Sequence, residues 1–76
     1  MSDYSIDITD KKCPMTFVKT KLLVERMAIG ETADVRLRAG EPLENVPRSL
    51  KEMGQEVLSL VEKEQGIWQL TLRKVV

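Results

Sequence analysis

The chain has 76 residues, 42 % of them apolar, and its twelve Lys and Arg balance twelve Asp and Glu for a formal net charge of zero. That length permits one domain over 1–76 with one thin core, because a domain this small buries only about 60 % of its unfolded surface. There is no histidine and one cysteine, which excludes Cys–His pairs, His metal sites, an intrachain disulfide and a Cys-x-x-Cys pair; the charge balance argues against general nucleic-acid binding.

At the N-terminus, Met1-Ser2-Asp3-Tyr4 lacks the basic and apolar blocks of a signal peptide. No apolar run approaches the roughly 18 residues of a membrane span. The expected compartment is therefore the cytoplasm, where a free thiol stays reduced, with no membrane partner. Tyr4, Ile6 and Ile8 alternate with Ser5, Asp7 and Thr9, the two-residue period of a half-buried strand. Thr9-Asp10-Lys11-Lys12 is a polar connection. A helix is expected from Pro14 to Ile29, stopped by Gly30, with Phe17, Thr20, Val24, Met27 and Ala28 on its core face. Met15, Val18, Leu22 and Ile29 form a second stripe, which suits either partial burial against loops or a docking surface.

Ala33, Val35 and Leu37 alternate with Asp34, Arg36 and Arg38 as a second strand, broken by Ala39-Gly40-Glu41-Pro42. Asn45 is the expected cap of a short helix with Pro47 in its first turn, and Gly54 its end. Val57 to Val61 reads as a strand, Lys63-Glu64-Gln65-Gly66 as a turn, and Trp68, Leu70 and Leu72 as the alternating core side of a last strand. The order βαβαββ, with a parallel first unit and a closing hairpin, predicts an α+β fold: a two-layer α/β sandwich with a four-stranded mixed sheet and two helices on one face. The other face, with Asp34, Arg36 and Thr71, should be polar and open.

Candidate chemistry narrows to Cys13. The carboxylates form no pair set to split their pKa values, the glycines are isolated, and the aromatic residues are dispersed. No cofactor or metal is expected. Cys13 precedes Pro14, and proline is favoured at the first position of a helix, so Cys13 is the expected N-cap. A thiol there meets the positive end of the helix dipole, with Lys11 and Lys12 alongside, and such surroundings favour the nucleophilic thiolate. The opposing reading makes Cys13 a small buried apolar residue.

Around Lys11-Lys12-Cys13-Pro14-Met15-Thr16 the chain resembles the TusA family of small sulfur-carrier proteins, also called SirA-like. The likeness runs over nearly the whole chain: Ile6-Asp7-Ile8 for the family's first strand with its acidic end, Cys13-Pro14-Met15-Thr16 for its Cys-Pro-x-Pro helix opening, Gly30-Glu31 before the second strand, and Val46-Pro47 at the second helix. The resemblance implies the same sandwich fold. It also implies that Cys13 accepts sulfane sulfur as a persulfide from a cysteine desulfurase or rhodanese-type donor and relays it to a protein acceptor, as a carrier rather than a stand-alone enzyme. Pro14, Met15, Thr16, Lys11 and Lys12 would support it. Thr16 replaces the second motif proline, Asp10 and Lys11 stand where many members have a glycine and an apolar residue, and Ala39-Gly40 replaces an acidic stretch. These departures point to a divergent paralogue rather than the tRNA-thiolation member. The alternative is a binding or regulatory module of the same fold, touching RNA or protein through the open sheet face; the neutral charge weighs against RNA.

Overall fold

The computed structural model describes residues 3–11 and 15–76. Its elements run β1 (Tyr4–Asp7), α1 (Met15–Arg26), β2 (Thr32–Arg38), α2 (Glu41–Glu52), β3 (Glu56–Glu64) and β4 (Ile67–Arg73). They form a two-layer sandwich whose four-stranded sheet has the order β1-β2-β4-β3. β1 and β2 are parallel, with Tyr4 opposite Ala33 and Ile6 opposite Val35. β2 and β3 flank β4 in antiparallel register. The expected mixed sheet is thus present, and it leaves β1 and β3 as its edges.

Alternation along β2 and β4 sets the core. Ala33, Val35, Leu37, Leu70 and Leu72 are fully buried on one face, beneath Leu23, Val24 and Met27 from α1 and its exit and Val46 and Leu50 from α2. Trp68, Val57 and Leu60 pack at the margin of this cluster. The other face is polar and open, as the alternation predicts: Thr71 donates to Asp34 at 2.7 Å, and Arg73 pairs with Glu56 at 2.7 Å.

Both helices depart from the sequence expectation. α1 ends at Arg26, not Ile29. The cause lies at the other end of the chain: the Lys74 ammonium donates to the carbonyls of Val24 and Met27, and the Ala28 amide donates to Glu31 Oε1. Backbone bonds between Gly30 and Lys74 and between Lys74 and Glu31 then draw the chain into the sheet. The core stripe of α1 is also rotated by about one residue. Thr16, Thr20, Leu23 and Val24 are buried, Phe17 is half-buried and Ala28 is exposed. Leu23 was absent from the expected stripe because Phe17 and Ala28 fit a 3.6-residue period from Val24 equally well.

α2 starts four residues before Asn45. Its N-cap is Gly40, at φ 108° and ψ −142°, with Pro42 in the first turn and Pro47 inside the helix. That backbone region is open essentially only to glycine. Glu41 and Glu44 in the first turn complement the dipole. Pro47 removes one interior hydrogen bond, but the apolar face of Val46 and Leu50, flanked by Leu43 and Met53, holds the helix on the sheet. The C-terminus follows expectation. Gly54 adopts φ 85°, its amide donates to the Lys51 carbonyl and that of Gln55 to the Leu50 carbonyl, the pair of bonds that closes a Schellman motif. β3 is longer than Val57–Val61, with irregularities between Val57 and Ser59 and between Glu62 and Glu64. The hairpin turn is accordingly reduced to Gln65 and Gly66.

These differences are measurable. Leu23→Ala should cost about 2–4 kcal/mol in urea unfolding, as deletion in a packed interior does, while Ala28→Ser should stay within about 0.5 kcal/mol, as surface changes do. Equal costs at the two positions would restore the unrotated stripe.

Candidate functional site

The approach to Cys13 is built by the end of β1. Asp7 Oδ1 accepts from both the amide and the hydroxyl of Thr9, at 2.9 and 2.6 Å. This is the short acidic turn that an Asp-x-Thr spacing allows. Those two bonds are the main reason the Asp7 carboxyl titrates below its ordinary value, with Arg36 and Arg38 adding to the effect. Arg36 stands 3.9 Å from Asp7 and 3.5 Å from Glu64, and Arg38 Nε donates to the Thr9 carbonyl at 3.0 Å. Ile8 donates to the Arg36 carbonyl and buries its side chain, and the Lys11 amide folds back onto the Ile8 carbonyl at 3.1 Å. Asp7, Ile8 and Thr9 are therefore tied to β2, and Lys11 is folded back onto Ile8.

On the far side, α1 is under way at Met15. Its first turn has two different faces: Met15 is 45 % exposed, whereas Thr16 is fully buried. The Thr20 hydroxyl donates to the Thr16 carbonyl at 2.8 Å. Of the sequence-derived site residues, Lys11, Met15 and Thr16 are thus placed at the two margins of a three-residue gap. Lys12, Cys13 and Pro14, and with them the expectation that Cys13 caps the helix, lie outside the described residues. The Lys11 ammonium is shared with Asp10 at 3.8 Å, which moderates the charge it brings. Asp7, Thr9 and Arg38 were not singled out from the sequence. The Asp-x-Thr spacing could have signalled the first two, but nothing local marks Arg38, whose contact is made 29 residues away.

Beside this approach lies a cleft of about 320 Å³ between α1 and the outer edge of β1, lined by Ile6, Asp7, Ile8, Lys11, Lys19, Leu22, Leu23 and Arg26. Met15, Val18, Leu22 and Ile29 are all exposed, so the second apolar stripe of α1 is a surface feature and not one covered by loops. On the open sheet face, Arg36, Arg38 and Arg73 each have an acidic or carbonyl partner. Among the described residues, that face carries no basic surplus of the kind that holds a phosphate backbone.

The Asp7 turn yields a pH-dependent prediction. A carboxyl whose folded pKa lies below its unfolded value of about 3.9 contributes stability above that value and loses it as pH falls through the folded pKa. The stability advantage of the native chain over Asp7→Asn should therefore be constant near neutrality and shrink below about pH 4. Unfolding free energies across that range test it, and a gap that persists in acid would refute it.

Comparison with known proteins agrees with this architecture. Residues 4–74 match the family described as Sulfurtransferase TusA. Two relatives, each described as a "putative sulfur carrier protein", come from Archaeoglobus fulgidus, 36 % identical over 91 % of this chain and 78 % of that one, and from Thermotoga maritima, 28 % identical over 91 % and 87 %. Among solved structures, a SirA-like protein from Desulfitobacterium hafniense superposes with a TM-score of 0.81 at 20 % identity, covering 96 % of this chain and 99 % of that one. A Helicobacter pylori protein solved in solution gives 0.77 at 21 %, covering 95 % and 97 %. These two establish likeness of fold. With the family match spanning nearly the whole sequence, the chain belongs to the TusA family.

Proposed function

We propose that this protein is a sulfur carrier that holds sulfane sulfur as a persulfide on Cys13 and hands it to a protein acceptor. The observation that carries the reading is the family match over residues 4–74, in a chain whose single cysteine stands directly before the proline that precedes α1. The names of the two curated relatives point the same way.

The chemistry needs few groups. The Cys13 thiolate attacks the outer sulfur of a donor cysteine persulfide. The donor's S–S bond breaks, a new one forms on Cys13, and the donor cysteine leaves as a thiolate. An acceptor thiolate then repeats the step on the outer sulfur of the Cys13 persulfide. Each transfer exchanges one S–S bond for another, so no external oxidant or reductant enters. The rate depends on the thiolate fraction of the attacking sulfur and on access to it. Asp7, Thr9, Arg36 and Arg38 serve by fixing the chain that leads to Cys13. A cysteine desulfurase or rhodanese-type protein is the donor class that the family likeness implies. The balanced charges of the open sheet face disfavour the RNA-binding alternative.

Incubation with a cysteine desulfurase and cysteine should add the mass of one sulfur atom to the intact chain, and a reducing thiol should remove it. Cys13→Ser should fold normally, since serine is a good N-cap, and should gain no mass. Sulfur uptake by the serine variant, or none by the native chain, would refute the assignment.

Position 16 offers a finer test. Thr16 has an amide N–H where the family's motif proline has none, and an N-cap side chain accepts from the second or third amide of its helix. Hydrogen bonds to an ionised acceptor are the stronger ones, so Thr16→Pro should move the pH midpoint of Cys13 alkylation upward while leaving the fold intact. An unchanged or lowered midpoint would show that the Thr16 amide does not reach the sulfur.

A further inference from the structure

The cleft between α1 and β1 lies beside the side of β1 that faces away from β2. Among the described residues, β1 pairs with β2 alone, so that side is a sheet edge. The Ile8 amide points to β2, and alternation turns the amides and carbonyls of Ser5 and Asp7 outward, toward the position a further strand would take. Above that position, α1 presents Leu22 and Leu23, and β1 contributes Ile6. An added strand would set alternate side chains against this apolar floor and receive main-chain hydrogen bonds from β1, the arrangement by which exposed sheet edges take up peptides.

The rim has a definite sign. Among the described residues, Lys11, Lys19 and Arg26 line the cleft with Asp7; Asp7 is engaged by Thr9 and Arg36, and Lys11 by Asp10, so Lys19 and Arg26 carry the charge of the rim. Among the described residues, no carboxylate lies within ion-pair distance of Lys19 or Arg26. In a chain of zero net charge, this is a local cationic surplus beside an open backbone edge. The opposite edge has the reverse character: the outer strand β3 carries Glu56, Glu62 and Glu64 against Lys63.

We propose that the groove between α1 and the free edge of β1 is a docking site for an extended, acidic peptide segment of a partner protein, which adds to the sheet beside β1. The side chains of that strand that face α1, every second one, are mixed: apolar where they cover Ile6 and Leu22 and acidic where they reach Lys19 and Arg26. The groove uses the flank of α1 that also carries Met15 and Val18, the exposed stripe to which Leu22 belongs.

The test is a titration of the isotope-labelled full chain, reduced and without any sulfur donor, followed by amide resonances. The probes are a blocked peptide Glu-Ser-Val-Ser-Glu, whose alternate positions set glutamate, valine and glutamate on one face, and its counterpart with lysine for glutamate. The glutamate peptide should shift Ser5, Asp7, Lys19 and Leu22 and slow amide exchange at Ser5 and Asp7. Its affinity should fall as salt is raised. The double variant Lys19→Gln/Arg26→Gln, at two exposed positions, should keep the native spectrum elsewhere and weaken binding at least about fivefold, since both rim charges are lost. The lysine peptide should leave the groove unperturbed. Equal response to both peptides, shifts confined to β3, or no shift at millimolar peptide would overturn the proposal. Because no sulfur is transferred, these outcomes are separable from failure of the carrier role of Cys13.

Discussion

Strand β2 is the constraint on which the rest of the molecule depends. Its inward residues Ala33, Val35 and Leu37 are fully buried, so its register cannot slip by one residue without turning the core outward. That register fixes what its outward residues can reach. Arg36 lies opposite Asp7 across the parallel pair, and Arg38 lies far enough along to hold the Thr9 carbonyl. Hydrophobic burial on one face of β2 thus positions the polar contacts on the other. Those contacts set the direction in which the chain leaves β1 for Cys13. The same strand therefore serves the core on one face and the candidate site on the other.

Much of this was legible in the sequence because two periods dominate it. Tyr4-Ile6-Ile8, Ala33-Val35-Leu37 and Trp68-Leu70-Leu72 alternate cleanly, and strands with one buried face must show that pattern. The order of elements, the closing hairpin and the open polar face followed from it. Part of what escaped has its physical origin in contacts distant along the chain. α1 stops at Arg26 because Lys74 takes the carbonyls of Val24 and Met27, contacts spanning 50 and 47 residues. The start of α2 was misplaced for the opposite reason. Pro47 and Asn45 form a locally convincing helix start, while Gly40 and Pro42 read as a loop. Burial of Val46 and Leu50 outweighs the hydrogen bond that Pro47 removes.

For the candidate site, the Cys-Pro pair and the family likeness single out Cys13 in the sequence, but they do not mark the contacts that hold the chain leading to it. Asp7 and Thr9 stand close enough in sequence to be read as a turn. Arg36 and Arg38 could not be assigned before the pairing of β1 with β2 was known. The cleft beside β1 was likewise invisible, since Ile6, Lys19 and Leu22 meet only when α1 crosses the sheet edge. The exposed apolar stripe on α1 was visible, and its exposure favours the docking side of the two explanations it allowed.

The strand order β1-β2-β4-β3 also bears on how the molecule is made. β4 is last in sequence yet interior in the sheet, and it pairs with both β2 and β3. As a chain emerges from the ribosome, β1, α1 and β2 appear first, but one side of β2 stays unpaired until residues 67–73 arrive. Non-local pairing of this kind is slow, because loop closure must precede the contacts that reward it. The Lys74 anchor of α1 comes later still. The pairing that makes β2 an interior strand, and the anchor that ends α1, are thus both supplied by the last ten residues of the sequence.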